Sequence, residues 1–162
     1  MKKLKTYFKV CAVISIALIL FLGCKKHEEA YSLEKETVMI NTWVKTMVNS
    51  NNIVDSTSTG LHYIISKVGT GATVTAGNTV TLIYTGKFVD GTVFNPATSL
   101  SYVHKASDQR MIPGFEEGVE KLSKGGSGIF LIPSAQAYGT GGYSIFPPFT
   151  PLLFNIEITD IK

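Results

Sequence analysis

The residue types that most often do covalent or metal chemistry are few here and badly spaced. The three histidines are His27, His62 and His104, and none falls in a ligand pattern such as His-Glu-x-x-His. No Gly-x-Ser-x-Gly elbow occurs to expose an activated serine. Gly139-Thr140-Gly141-Gly142 is rich in glycine, but no Lys-Ser/Thr pair or helix start follows it, so it does not read as a phosphate cradle. Glu116 and Glu117 are adjacent on a predicted helix. Adjacent helical side chains point in different directions, so they make a poor acid–base pair and read as a solvated face. Serine- and metal-based hydrolysis are therefore disfavoured. What remains is a set of aromatic and aliphatic residues punctuated by turns.

Period and punctuation suggest the elements that must position these residues. Leu33, Ile40, Trp43, Val44, Met47 and Val48 fall largely at helical spacing and predict an amphipathic helix over Ser32–Val48, with Ser32 as N-cap. Trp43 either packs this helix against the rest of the chain or marks a partner-binding face. Asp55–Gly60 reads as a polar loop and Gly69-Thr70-Gly71 as a turn. Leu61–Ile65 is a strand candidate, and Val80, Leu82 and Tyr84 alternate with threonine and isoleucine in a second one. Phe88–Phe94 contains Asp90-Gly91, the signal for a hairpin with a type I′ turn. Pro113–Leu122 predicts a short helix with Pro113 in its first turn, Phe115, Val119 and Leu122 on one face, and Gly125 as its stop. Ile129–Ile132 and Leu152–Ile158 complete the strands. Pro151 lacks a ladder donor and belongs at the very start of the last one. Short strands with one helix indicate an α+β domain with an antiparallel sheet. Val80, Leu82, Val119 and Ile156 read as plain core.

Charge argues against nucleic acid as a partner. Four of the fifteen basic residues, Lys2, Lys3, Lys5 and Lys9, precede a hydrophobic run, and eleven remain against twelve acids from residue 24 onward. No concentrated basic face is left to neutralise phosphates. The hydrophobic run, Val10–Leu22, is 13 residues long. That length suits a signal-peptide core and is short of the roughly 20 residues of a spanning helix. Leu22-Gly23-Cys24 then resembles the cleavage motif of bacterial lipoproteins. That resemblance implies acylation of Cys24, a lipid anchor in the cell envelope and, with Lys25 rather than Asp following, an outer-membrane destination. Cys11 lies in the segment that would be removed, which leaves Cys24 alone and no internal disulfide. The expected organisation is a signal peptide over 1–23, a tether with the amphipathic helix over 24–57, and a domain over 58–162.

Within that domain several motifs recur in a familiar order. Val80-Thr81-Leu82-Ile83-Tyr84-Thr85-Gly86, Asp90-Gly91-Thr92-Val93-Phe94, and Met111-Ile112-Pro113-Gly114-Phe115-Glu116-Glu117-Gly118-Val119 are followed by Ile132-Pro133-Ser134 with Ala137-Tyr138-Gly139. Phe146-Pro147-Pro148 and Leu152-Leu153-Phe154-Asn155-Ile156-Glu157 close the series. Together they resemble the FKBP-type peptidyl-prolyl cis–trans isomerases. The resemblance implies an antiparallel half-barrel sheet wrapped around one short helix, with an apolar pocket between them. By position the pocket would hold Tyr84, Phe94, Asn95, Tyr102, Met111, Ile112, Phe115, Tyr138, Ile145, Phe146 and Phe154.

It also implies an activity: rotation of X-Pro bonds in proline-containing polypeptides of the envelope, by a monomer and without a cofactor. The proline ring would lie over Phe115, walled by Phe94, Tyr102, Met111, Ile112 and Phe154. The Ile112 N–H and the Tyr138 hydroxyl would hold carbonyl oxygens, with Tyr84 and Asn95 beside them. The chain departs from the family pattern at several points. Asn95 stands where active members usually have Asp, and Phe115 where they have Trp. His104, Lys105 and Ala106 depart from the usual Phe-x-Leu-Gly pattern, and the loop Tyr143–Phe146 is one residue short. The Asn leaves a second reading open, a domain that binds proline-containing segments with little turnover. A third is a lipoprotein partner of an envelope complex that docks through the Trp43 helix.

Overall fold

The computed structural model describes residues 31–107 and 111–162. The signal peptide, Cys24 and the basic N-terminus lie outside the described residues. Residues Tyr31–Lys162 form one compact unit.

Helix α1 spans Leu33–Asn49. Its N-cap is Ser32, whose hydroxyl accepts from Lys35 N–H at 3.3 Å, and Glu34 and Glu36 sit in the first turn where the helix dipole favours acids. At the other end Asn51 takes the left-handed conformation, φ 61°. The backbone N–H and side-chain amide of Asn52 both reach the Met47 carbonyl, at 3.1 Å each, and end the helix.

Among the described residues the main sheet has six antiparallel strands. They are β1 (Asp55–Ser56), β2 (His62–Lys67), β4 (Thr79–Phe88), β5 (Val93–Val103), β7 (Ser127–Ile132) and β8 (Leu152–Ile161), in the order β1-β2-β7-β8-β4-β5. A second sheet pairs β3 (Thr70–Thr73) with β6 (Ser123–Lys124). Helix α2 spans Pro113–Val119.

The period of two in the strands decides which helix covers which face. From β2, β7 and β8, Tyr63, Phe130, Ile132, Leu152, Phe154 and Ile156 point to the α2 side and join Phe115 and Val119 in the main core. Their neighbours Ile64, Leu131 and Leu153 point the other way and meet Trp43, Ile40 and Met47 of α1. This half of the sheet is therefore covered on both faces, which is why β7 reads as a nearly unbroken apolar run. Trp43 is 7% exposed and packs α1 onto the sheet. Two glycines set how closely α2 approaches. A Cβ on Gly114 would stand 2.3 Å from Ile132 Cγ2, and one on Gly118 would stand 2.9 Å from Phe130 Cδ1. Only glycine at both positions lets the helix backbone lie directly on β7.

Several local expectations are corrected. The polar stretch at 55 pairs as β1, Asp55 with Tyr63 and Ser56 with His62. The presumed turn at Gly69–Gly71 is the start of β3, held by the Thr70–Lys124 pair. The Asp90-Gly91 hairpin is not type I′, because only Gly91 of the pair has positive φ, 92°. Gly91 N–H closes the turn on the Phe88 carbonyl and Asp90 accepts Thr92 N–H, the arrangement of a type I turn followed by a left-handed glycine. Helix α2 stops at Val119, before the expected Leu122. Gly125, φ 77°, belongs instead to the tight turn joining β6 to β7. The expected start of the last strand holds, with Pro151 immediately before Leu152.

Candidate active site

The site is built where β4, β5 and β8 curve over α2. Tyr84 projects from β4 and meets the Phe115 ring edge to face at 5.4 Å. Phe154 from β8 meets Phe115 at 5.3 Å and Phe94 at 5.7 Å, both also edge to face. Phe94 owes its position to Gly86 on the paired strand, since a Cβ there would lie 2.2 Å from Phe94 Cε2. Near this point β5 carries Pro96 within an irregularity of the β4–β5 register, where Tyr84 pairs Thr98 and Gly86 pairs Asn95. Because β5 is an edge strand, a proline is tolerated there.

Tyr138 follows the short 3-10 turn Ser134–Gln136. Its ring stacks on Phe146 at 4.4 Å, and Phe146 in turn meets Phe94 edge to face at 4.9 Å. The loop that presents Phe146 is a tight reversal. Tyr143 and Phe146 exchange both backbone hydrogen bonds at 2.8 Å around Ser144 and Ile145, with Ser144 left-handed at φ 52°. Ile145 at its tip is 60% exposed. Met111 and Ile112 lead into α2, where the Ile112 carbonyl accepts Phe115 N–H at 3.0 Å. The Ile112 N–H stands before the helical ladder, among the donors a helix start leaves outside it.

Most of the expected residues lie together, with Ile145 outside the cluster at its exposed loop tip, and those that cluster differ in access. Phe115 is wholly buried, and Tyr102 and Phe154 nearly so. Tyr84, Phe94, Met111, Ile112, Tyr138 and Phe146 are half-buried and form the reachable surface. Burial raises the Tyr138 phenol above its ordinary range, and the nearby Tyr143 and Tyr84 raise it further, so it stays a proton donor. Asn95 is half-buried, and its side-chain oxygen accepts from the Thr98 hydroxyl at 3.0 Å.

Two polar arrangements around the site were not anticipated from sequence. Glu116 is 7% exposed and is not on a solvated face. It contacts Nδ1 of His104, which is itself fully buried, and accepts from the Tyr102 hydroxyl at 3.3 Å. The other ring nitrogen of His104 lies 3.1 Å from Glu120, which also holds Lys105 at 2.6 Å. Burial, then the Glu116 charge, raises the Tyr102 phenol and keeps it protonated. Burial alone would raise the Glu120 carboxyl, but the Lys105 and His104 bonds outweigh it and hold the group below the usual carboxylate range. The second arrangement joins α1 to the Tyr138 loop. Glu36, 3% exposed, accepts Ser134 N–H at 2.5 Å and the Ser134 hydroxyl at 2.7 Å. The Ser134 carbonyl then accepts Gly139 N–H at 2.8 Å, which fixes the residue after Tyr138.

The family model of the FKBP-type peptidyl-prolyl cis-trans isomerases matches residues 70–159, which is more than half of the chain. The chain belongs to that family. It is 36% identical over 109 residues to the FKBP-type peptidyl-prolyl cis-trans isomerase FkpA of Aeromonas hydrophila, covering 67% of this chain and 41% of that protein. It is 33% identical over 109 residues to FkpA of Escherichia coli, covering 67% and 40%. The crystal structure of FkpA from Escherichia coli superposes with a TM-score of 0.69 at 25% identity, over 96% of this chain and 71% of that one. A peptidyl-prolyl cis-trans isomerase from Pseudomonas syringae gives a TM-score of 0.61 at 25% identity, over 78% and 95%. The chain spans about two-fifths of the length of the curated FkpA relatives. The matched residues contain α2, the Tyr138 loop, β4, β5 and β8 as far as Thr159. The FKBP-like α+β fold expected from the motifs is the fold observed.

Proposed function

We propose that this protein is a peptidyl-prolyl cis–trans isomerase acting on proline-containing polypeptides of the cell envelope. The carrying observation is the convergence of Tyr84, Phe94, Tyr138, Phe146 and Phe154 around Phe115 in a family whose model matches these residues. Amide resonance sets a rotation barrier of roughly 18–20 kcal/mol. The planar X-Pro amide is polar and well solvated, whereas the twisted transition state has lost resonance and part of its charge separation. A dry aromatic site penalises the planar state more than the twisted one, and that difference lowers the barrier without a nucleophile.

In this reading the half-buried rings of Tyr84, Phe94 and Phe146 receive the proline, with Met111 and Ile112 beside them. Phe115 supports them from beneath. A proline ring that is to touch Phe115 must part the side chains that cover it. The Tyr138 hydroxyl and the Ile112 N–H donate to the flanking carbonyl oxygens and fix the substrate's orientation. Tyr102 contributes through its network with Glu116 and His104. Envelope placement through acylated Cys24 is supported by the basic start, the 13-residue apolar run and Leu22-Gly23-Cys24. Two or more acyl chains are needed for a stable anchor.

A second reading, binding without turnover, is favoured by Asn95 alone. The experiment is X-Pro isomerisation in a short peptide by the native protein, Tyr138→Phe and Asn95→Asp. Turnover by the native protein that drops in Tyr138→Phe supports the isomerase. Turnover found only in Asn95→Asp supports the binding module.

A further inference from the structure

A groove of about 390 Å³ runs beside the aromatic site, between α1 and the β4–β5 turn. Its lining includes Tyr31 and Met39 from the α1 side, Phe88 and Val89 at the turn, and Ile145 and Pro147 from the reversal after Tyr138. We infer that this groove is a second subsite, which takes apolar side chains of the client polypeptide flanking the proline. The inference rests on the isomerase reading of the neighbouring site.

Continuity is the first argument. Phe88 lines the groove and also meets Phe94 edge to face at 5.2 Å and Phe146 at 5.9 Å. Ile145, at the tip of the same reversal, offers its exposed side chain to the groove. A chain leaving the aromatic site past Phe146 therefore enters the groove within a residue or two, at roughly 3.3–3.6 Å per extended residue. Chemistry is the second argument. The walls are mostly apolar, with the hydroxyls of Thr92 and Thr150 among them, and the one carboxylate, Asp90, accepts Thr92 N–H at 2.8 Å within the turn. A volume in the ordinary range of ligand pockets, roughly 300–1,000 Å³, holds a few side chains. Met39 is an adaptable, polarisable contact that suits varied apolar partners.

Preorganisation is the third. Met39 lies one turn from Glu36, whose two bonds to Ser134 tie α1 to the Tyr138 loop, and Trp43, a further turn on, fastens the helix to Ile64 and Leu131. The Met39 side of the wall is already fixed, so binding there orders little that was loose. By contrast, the larger groove beside α2 sets Ala106, Met111 and Pro113 among five charged side chains, three acidic and two basic, so it is a mixed surface and not an apolar one.

The test uses the full purified chain and one short X-Pro peptide, extended by Leu-Leu or by Ser-Ser on either side. The groove predicts that a Leu-Leu extension on one side improves kcat/KM over Ser-Ser by about tenfold, through KM. Met39→Glu and, separately, Tyr31→Ser should bring that ratio towards one; Tyr31 is more than half exposed and precedes the helix, so its variant does not threaten the fold. A native ratio near one, or a ratio that survives both variants, overturns the inference. So does a protein that dimerises through the groove, seen as Met39→Glu changing the sedimentation coefficient while the leucine preference persists. If the native chain turns over no peptide, the isomerase reading fails by itself. Fluorescence polarisation then decides for the groove, by a leucine preference in binding that Met39→Glu abolishes, or against it, by equal binding of both extensions.

Discussion

At the scale of single residues, Tyr138 and Asn95 separate function from packing better than Phe115 does. Phe115 is fully buried, so Phe115→Ala would cost about 3–5 kcal/mol of stability and confound any kinetic effect. Tyr138→Phe removes only a half-exposed hydroxyl. It should leave the unfolding midpoint nearly unchanged and lower kcat/KM about tenfold, the equivalent of ~1.4 kcal/mol in the transition state. Asn95→Asp keeps the acceptor for Thr98 and adds a negative charge beside the site. Stopped-flow assays should show a several-fold gain if the missing carboxylate limits turnover. The aromatic residues were legible in the sequence because turns and alternation frame them. Glu116 was misread as solvated because its neighbour Glu117 is more open and adjacency alone does not say which of two acids points inward. Strand parity held a clue, since Leu100, Tyr102 and His104 share one face of β5 and its continuation, and His104 then waits for an acid.

At the scale of elements, two buried carboxylates fasten helices to the site. Glu36 stood on the apolar stripe of α1 with Ile40 and Trp43, and a charge in that stripe was the signal of a buried partner. Which partner it had was not legible, because Ser134 is 98 residues away in sequence. Glu36→Ala leaves the Ser134 N–H and hydroxyl without their acceptor. Urea unfolding should register a loss of about 2–3 kcal/mol, as expected for charge-assisted bonds. The other carboxylates join α2 to His104. His104→Leu removes the partner of buried Glu116 and should destabilise by about 3–5 kcal/mol. Glu120 adds a pH dependence. Its folded-state pKa lies below the unfolded value, so its stabilisation is present above the unfolded carboxylate range and fades as pH falls through the folded pKa. Glu120→Gln should therefore cost on the order of 0.2–1 kcal/mol at pH 7, and the difference from the native protein should vanish in acid. The hairpin turn and the end of α2 are not legible in the sequence for a shared reason. Gly91 and Gly125 are both left-handed, but the same residue serves a type I′ turn, a bulge or a helix stop.

For the molecule as a whole, alternation along β2, β7 and β8 explains why a small sheet carries a helix on each face, and why the site lies where the remaining strands, β4 and β5, curl over α2. The family motifs made this half-barrel legible in advance. They said nothing of α1, whose packing through Trp43 and tie through Glu36 bring it into the same compact unit as the site. The activity proposed for this aromatic site is acceleration of X-Pro rotation. Its most direct measurement is cis–trans exchange in a short proline peptide followed by NMR, with catalytic amounts of the protein. Exchange is expected to be faster than the uncatalysed tens to hundreds of seconds, and that gain to fall for Tyr138→Phe. Peptide resonances that shift on binding while exchange stays at the uncatalysed rate would contradict it.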